Sequence, residues 1–162
     1  MNTSFRAALA LLTAIATLGC STNGPTVVKG CDDDNGIREA VFRYQFSHNS
    51  SAAQQSVDVY FLSLAEKADP DERLLARFAG HQPEVKAISQ SRIVAGGRVE
   101  EKNTGRSGLI FRIDSIHPLD EKRVRVKGGY YEANVSASGN NYFLECQDDK
   151  WTVVDAVGKW IS

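Results

Sequence analysis

Arg123-Val124-Arg125-Val126-Lys127-Gly128-Gly129-Tyr130-Tyr131-Glu132-Ala133 is the stretch that decides the fold. Val124, Val126 and Tyr130 share one parity, and Arg123, Arg125 and Lys127 share the other. That alternation describes a strand with one buried and one wet face. Gly128-Gly129 mark a bulge or sharp bend, so parity beyond them is open. Further strand candidates surround it at Leu109–His117, Asn141–Gln147 and Trp151–Trp160. Pro118–Lys122, Ser136–Asn140 and Asp148–Lys150 supply turn chemistry between them. The second half therefore reads as an antiparallel meander.

The first half is richer in helix. Asp32-Asp33-Asp34-Asn35 offers capping side chains and negative charge at a helix start. Ile37, Ala40, Val41 and Tyr44 follow at helical spacing, which predicts a helix to about Ser47. His48–Gln55 is polar and reads as a loop. Val57–Leu64 is aromatic and β-branched with apolar residues on both parities, a strand covered on both faces. Asp69-Pro70 predicts a second helix start, with Leu74, Leu75 and Phe78 as its apolar stripe and Gly80 as its stop. Val85–Val94 is expected to enter the sheet, and Gly96-Gly97 and Asn103–Gly108 to form turns. Two helices and sequential hairpins predict an α+β domain, with the helices packed on one face of a curved antiparallel β-meander.

Upstream of the domain, Arg6 gives a positive start, and Ala7–Ile15, continued to Leu18, gives an apolar run too short for a bilayer core of ~20 residues. A cleaved export signal over residues 1–19 is expected. The Leu18-Gly19-Cys20 segment resembles the bacterial lipobox, although Thr17 and Leu18 stand in reversed order relative to that pattern. The resemblance implies acylation of Cys20, palmitate included, and a tether over residues 20–30. Ser21, which is not Asp, implies outer-membrane sorting and a domain facing the periplasm. The alternative is ordinary signal cleavage that leaves a secreted or soluble periplasmic protein.

Removing 19 of 162 residues leaves about 143, enough for one domain over residues 31–162. Nineteen Lys and Arg oppose twenty Asp and Glu, so no nucleic-acid partner is expected. With Cys20 acylated, Cys31 and Cys146 remain as a pair in an oxidising compartment, where a disulfide is expected. The alternative is two free thiols.

The element order is similar to the cystatin-like or nuclear transport factor 2-like cone fold, in which an N-terminal helix lies in the cup of a bent meander. The segments Glu39–Phe46, Tyr60–Ser63, Gly128–Glu132 and Ser136–Asn140 also resemble a group of small bacterial proteins. That second resemblance implies no particular activity.

Chemistry-bearing motifs are few. His48, His81 and His117 share no helical or hairpin spacing, so no metal site is expected. Asp32–Gly36 fails the EF-hand pattern, since Gly36 falls on a ligand position and Arg43 where the bidentate Glu belongs. No G-x-S-x-G elbow, P-loop or dinucleotide fingerprint occurs, and no cofactor is expected. Asn49-Ser50-Ser51 and Asn134-Val135-Ser136 match the glycosylation sequon but mean little behind a bacterial export signal.

The aromatic residues concentrate in the meander, and cone folds often hold small apolar ligands between helix and sheet. Tyr44, Tyr60, Phe111 and Tyr130 are the candidate pocket residues. Two functions compete. One is a non-enzymatic envelope module that binds a protein or a small apolar ligand. The other is a hydrolase- or isomerase-like enzyme with Asp114 and His117 as its acid–base pair. Those two are three apart on a strand and point to opposite faces unless a bulge at Ser115–Pro118 reverses the parity. The Arg123, Arg125 and Lys127 stripe reads as a solvated face that can also meet an acidic partner or lipid headgroups.

Overall fold

A computed structural model of the chain describes residues 31, 33–48, 56–133 and 136–161. The segments expected to form the export signal, with Cys20 and the tether, and residues 49–55 of the expected loop lie outside the described residues. Helix α1 runs Asp34–His48, and Asp33 caps it by accepting the Asn35 N–H at 2.9 Å. Its inner stripe is Ile37, Val41, Phe42 and Phe46, with Asn35 and Gln45 as buried amides on the same helix. Each of those apolar side chains contributes about 1.5–3 kcal/mol on leaving water.

The strands are β1 Val59–Ser63, β2 Glu84–Ala87, β3 Ser91–Ile93, β4 Val99–Glu101, β5 Ser107–Asp120, β6 Arg123–Ala133, β7 Ser136–Gln147 and β8 Lys150–Ile161. They form one sheet in the order β2-β1-β5-β6-β7-β8, with β4 joining the start of β5 and β3 pairing with β4. The fold is α+β, with two helices on the sheet. The sheet, however, is mixed and not purely antiparallel: β1 runs parallel to both β2 and β5. Only β5 to β8 form the expected meander. Register shifts interrupt its ladders at Asp114, Leu119, Glu132 and two places along β7–β8, and such shifts bend strands. Helix α1 consequently touches both β5 and the far strand β8.

Three boundaries differ from the reading of the sequence. The second helix, α2, spans only Glu72–Ala76, and its cap is Asp71 instead of Asp69. Asp71 Oδ1 accepts the Leu74 N–H at 2.7 Å and both its oxygens accept from Asn35 Nδ2, which fastens α2 to α1. The Leu74 amide, then the Asn35 amide, hold the Asp71 carboxyl below its ordinary range. Asp69 accepts the Ser89 N–H instead.

Ser136–Asn140, read as a turn, belongs to strand β7 and pairs with Gly128–Ala133. The spatial need falls on the partner strand: a Cβ on Gly129 would lie 1.9 Å from the Ser138 carbonyl oxygen, and one on Gly128 2.3 Å from that of Arg112. Pro118 also belongs to β5, where it stands opposite Val124.

The core fills the space between the helices and the inner face of the sheet. Phe46, Tyr60 and Phe111 meet pairwise with ring centroids 4.8–4.9 Å apart. A second, smaller cluster of Val59, Phe61 and Val99 lies on the opposite face, beneath the β3–β4 hairpin. Tyr131 Oη pins that hairpin by donating to the Gly97 carbonyl at 3.0 Å. Cys31 and Cys146 stand at disulfide distance, with Cα atoms 6.0 Å apart. Among the described residues no helix is long and apolar enough to cross a membrane.

Candidate functional site

Three of the four candidate pocket residues are core. Tyr60, Phe111 and Tyr130 are at most 4% exposed and packed in the main cluster, and Tyr44 lies against its edge, stacked on His48. Side chains fill the cup where these residues stand. What remains at its mouth is an open hollow of about 590 Å³, walled by Arg43, Phe46, Ser47, Tyr60, His81 and Pro83. Its polar groups are already engaged. His81 Nδ1 sits 2.8 Å from the Pro83 carbonyl, and Arg43 pairs with Glu39 and lies over the Phe78 ring.

Asp114 and His117 are brought to one stretch of β5 but each takes another partner. The parity reversal that an acid–base pair would need does occur, at Asp114 itself: Ile113 pairs with Gly128 and Ser115 with Lys127, leaving Asp114 unpaired between them. Beyond this bulge Ile116 turns to the core, and Ser115 and His117 share the outer face with Lys127 and Arg125. Asp114 Oδ1 binds Arg112 Nε at 3.2 Å, while His117 Nε2 is 2.9 Å from Ser115 Oγ. Both residues are exposed. Among the described residues no group of three His, Cys, Asp or Glu side chains is placed to hold a metal ion.

The most strongly perturbed carboxylate is Glu101, 4% exposed at the end of β4. It accepts from Arg106 Nε at 2.8 Å, Lys86 Nζ at 2.5 Å and the Thr104 hydroxyl. Arg106 first, then Lys86 and Thr104, pull its pKa from 4.5 down to about 2. Glu84, on β2, closes the network onto Arg106 at 2.6 Å. Two acids and two bases satisfy one another here. A carboxylate held this far ionised is poised for structure, not for proton transfer near neutral pH.

A further concave feature crosses the outer face of the sheet. A groove of about 530 Å³ runs between the Ile88–Ile93 segment and strands β1, β5 and β6. Ile88, Ile93, Ile110 and Tyr131 give it an apolar lining, and Ser63, Ser89 and Ser91 give hydroxyls. Lys67, Arg92 and Arg112 are its charged lining residues, and no carboxylate lines it.

Its walls are braced. Ser89 is held by Asp69 and Lys102, Ser91 Oγ donates to the Ile88 carbonyl at 2.8 Å, and the Lys102 N–H donates to the Gln90 carbonyl at 2.8 Å. Ile110 and Tyr131 are cross-strand partners, and Arg112 stands beside Ser63 on β1. Reading the sequence alone misses this site. The available signal was apolar Ile110 and Tyr131 on the parity opposite to Phe111 and Tyr130, a face expected to be wet. Comparison with family models, curated proteins and solved structures finds no match for this chain.

Proposed function

We propose that the domain is a non-enzymatic binding module that takes a small, largely apolar ligand in the outer groove. The observation that carries this reading is the contrast between the two faces. Aromatic side chains occupy the cup, whereas the groove combines four apolar residues, three hydroxyls and a braced wall in a volume typical of ligand sites. A helix lying across a bent meander supports placing the domain with the cystatin-like or nuclear transport factor 2-like cone folds; a crystal structure with α1 off the concave face would remove that placement.

Nile red, a neutral apolar dye, tests the binding reading. The mature domain is expected to enhance its fluorescence saturably at one dye per chain. Ile93→Asp should abolish most of that enhancement with circular dichroism unchanged, and Ile110→Asp, at a residue partly buried against the Val59, Phe61 and Val99 cluster, should abolish it as well. Ile93 is 59% exposed, so its substitution leaves the core intact. No enhancement, or enhancement that survives both substitutions, defeats the reading.

The location belongs to the same proposal: a processed lipoprotein, anchored in the outer membrane by acyl chains on Cys20 and facing the periplasm. The lipobox-like Leu18-Gly19-Cys20 segment and the Cys31–Cys146 pair support it. Cells fed labelled palmitate should label the protein, and Cys20→Ala should remove the label. Label retained in that variant counts against the anchor.

A further inference from the structure

Resting on the groove as the binding site, we propose that its ligand is an anionic amphiphile: a carboxylate or phosphate head on a single acyl or similar apolar body. The chain as a whole is nearly neutral, with nineteen basic and twenty acidic residues. Against that balance the groove is one-sided, with three cations and no acid in its lining. Apolar walls beside the charges lower the local dielectric and strengthen their pull on an anion.

The three cations come from separate elements, so no single strand pattern accounts for them. Lys67 ends the turn after β1, in left-handed backbone at φ 62°. Arg92 reaches in from β3, where Glu100 holds it at 3.1 Å. Arg112 lies on β5, steadied by Asp114 at 3.2 Å and by the Ser138 carbonyl at 3.5 Å. The paired carboxylates lie outside the lining, so they orient the two guanidinium groups without occupying the groove.

Ser63 and Ser91 donate their hydroxyls to the Leu64 and Ile88 carbonyls, so the Ser89 hydroxyl is the donor in the lining that suits either a carboxylate or a phosphate head. The apolar body then lies against Ile88, Ile110 and Tyr131, and Ile93 stands at the rim. A solvent-facing isoleucine at such a rim is accounted for when an acyl chain covers it. A cationic ligand would meet Lys67 in a lining without acid, whereas an anionic head gains a partner there and shares the Arg92 and Arg112 guanidinium groups with Glu100 and Asp114.

Displacement of Nile red separates the cases. Laurate is expected to displace it at about tenfold lower concentration than dodecyltrimethylammonium, a single charge-assisted hydrogen bond being enough for that ratio. The double variant Lys67→Gln/Arg92→Gln should weaken laurate about tenfold on the same grounds and leave dodecyl maltoside within about twofold. Dodecyl phosphate forms the second arm: displacement by dodecyl phosphate but not by laurate assigns a phosphate head, and the reverse assigns a carboxylate. Equal displacement by anionic and cationic chains, or laurate binding indifferent to the double variant, overturns the anion assignment while the groove stands. Nile red binding that survives Ile110→Asp overturns the groove itself.

Discussion

Truncation of Phe111 to alanine is expected to destabilise the domain by about 3–5 kcal/mol, the range for a fully buried aromatic that leaves a cavity. Phe111 is 0% exposed and sits between Phe46 and Tyr60, with ring centroids 4.9 and 4.8 Å away. On β5 it stands beside Leu62 of β1 and opposite Tyr130 of β6, so its ring joins the parallel and antiparallel parts of the sheet. Helix α1 closes over it through Phe46. A loss of this size removes a large fraction of the ~5–15 kcal/mol that holds a typical domain folded. Urea unfolding measures it: the midpoint should fall steeply while the slope, which follows exposed area, stays constant.

The same experiment separates a filled cup from a ligand pocket. A side chain that only lines an open pocket lacks partners on one side, and its truncation costs about 1 kcal/mol or less. A cost in that lower range would contradict the packing described here. Within the expected range, the variant offers a further check. A dry apolar cavity binds small aromatic molecules, so benzene should raise the midpoint of Phe111→Ala and leave the parent unchanged.

What could be read from the sequence was what a single segment encodes. Strand β6 shows it best: Val124, Val126 and Tyr130 are buried, and Arg123, Arg125 and Lys127 are the more exposed set. Val59–Ser63 is buried at every position, as a strand apolar on both parities requires. Features set by distant partners were not legible. The parallel pairing of β1 depends on where β2 to β4 carry the chain before β5 begins, and no local pattern records that.

Strand β4 has only three residues and no period to detect. Ser136–Asn140 carries turn composition yet is strand, because its pairing with Gly128–Ala133 outweighs its local preference. The groove was hidden for the same cause. Lys67, Arg92 and Arg112 belong to three elements, and only the fold makes them neighbours.

Breaking the Cys31–Cys146 link is expected to cost about 2–5 kcal/mol, because the bond closes a very long loop. The two residues are 115 apart in sequence, and their Cα atoms are 6.0 Å apart, within the span a disulfide bridges. In the chain-entropy account most of that effect lies in the unfolded chain, which the link keeps from expanding. The folded side has local support of its own. Cys146 pairs with Trp151 across β7 and β8, and Trp151 Nε1 donates to the Cys31 carbonyl at 3.2 Å. These contacts hold the start of α1 against the end of the meander, so the double variant Cys31→Ala/Cys146→Ala should remain folded and lose stability. Its urea midpoint should match that of the parent in dithiothreitol, and reductant should leave the variant unchanged. Two alkylatable thiols in the native mature protein, or a parent midpoint insensitive to reductant, would show that the link does not form. Because cytosolic reductants keep such pairs open, a disulfide recovered from cells would also bear on location: it would place the domain on the oxidising side of the membrane, where the proposed acyl anchor would hold it.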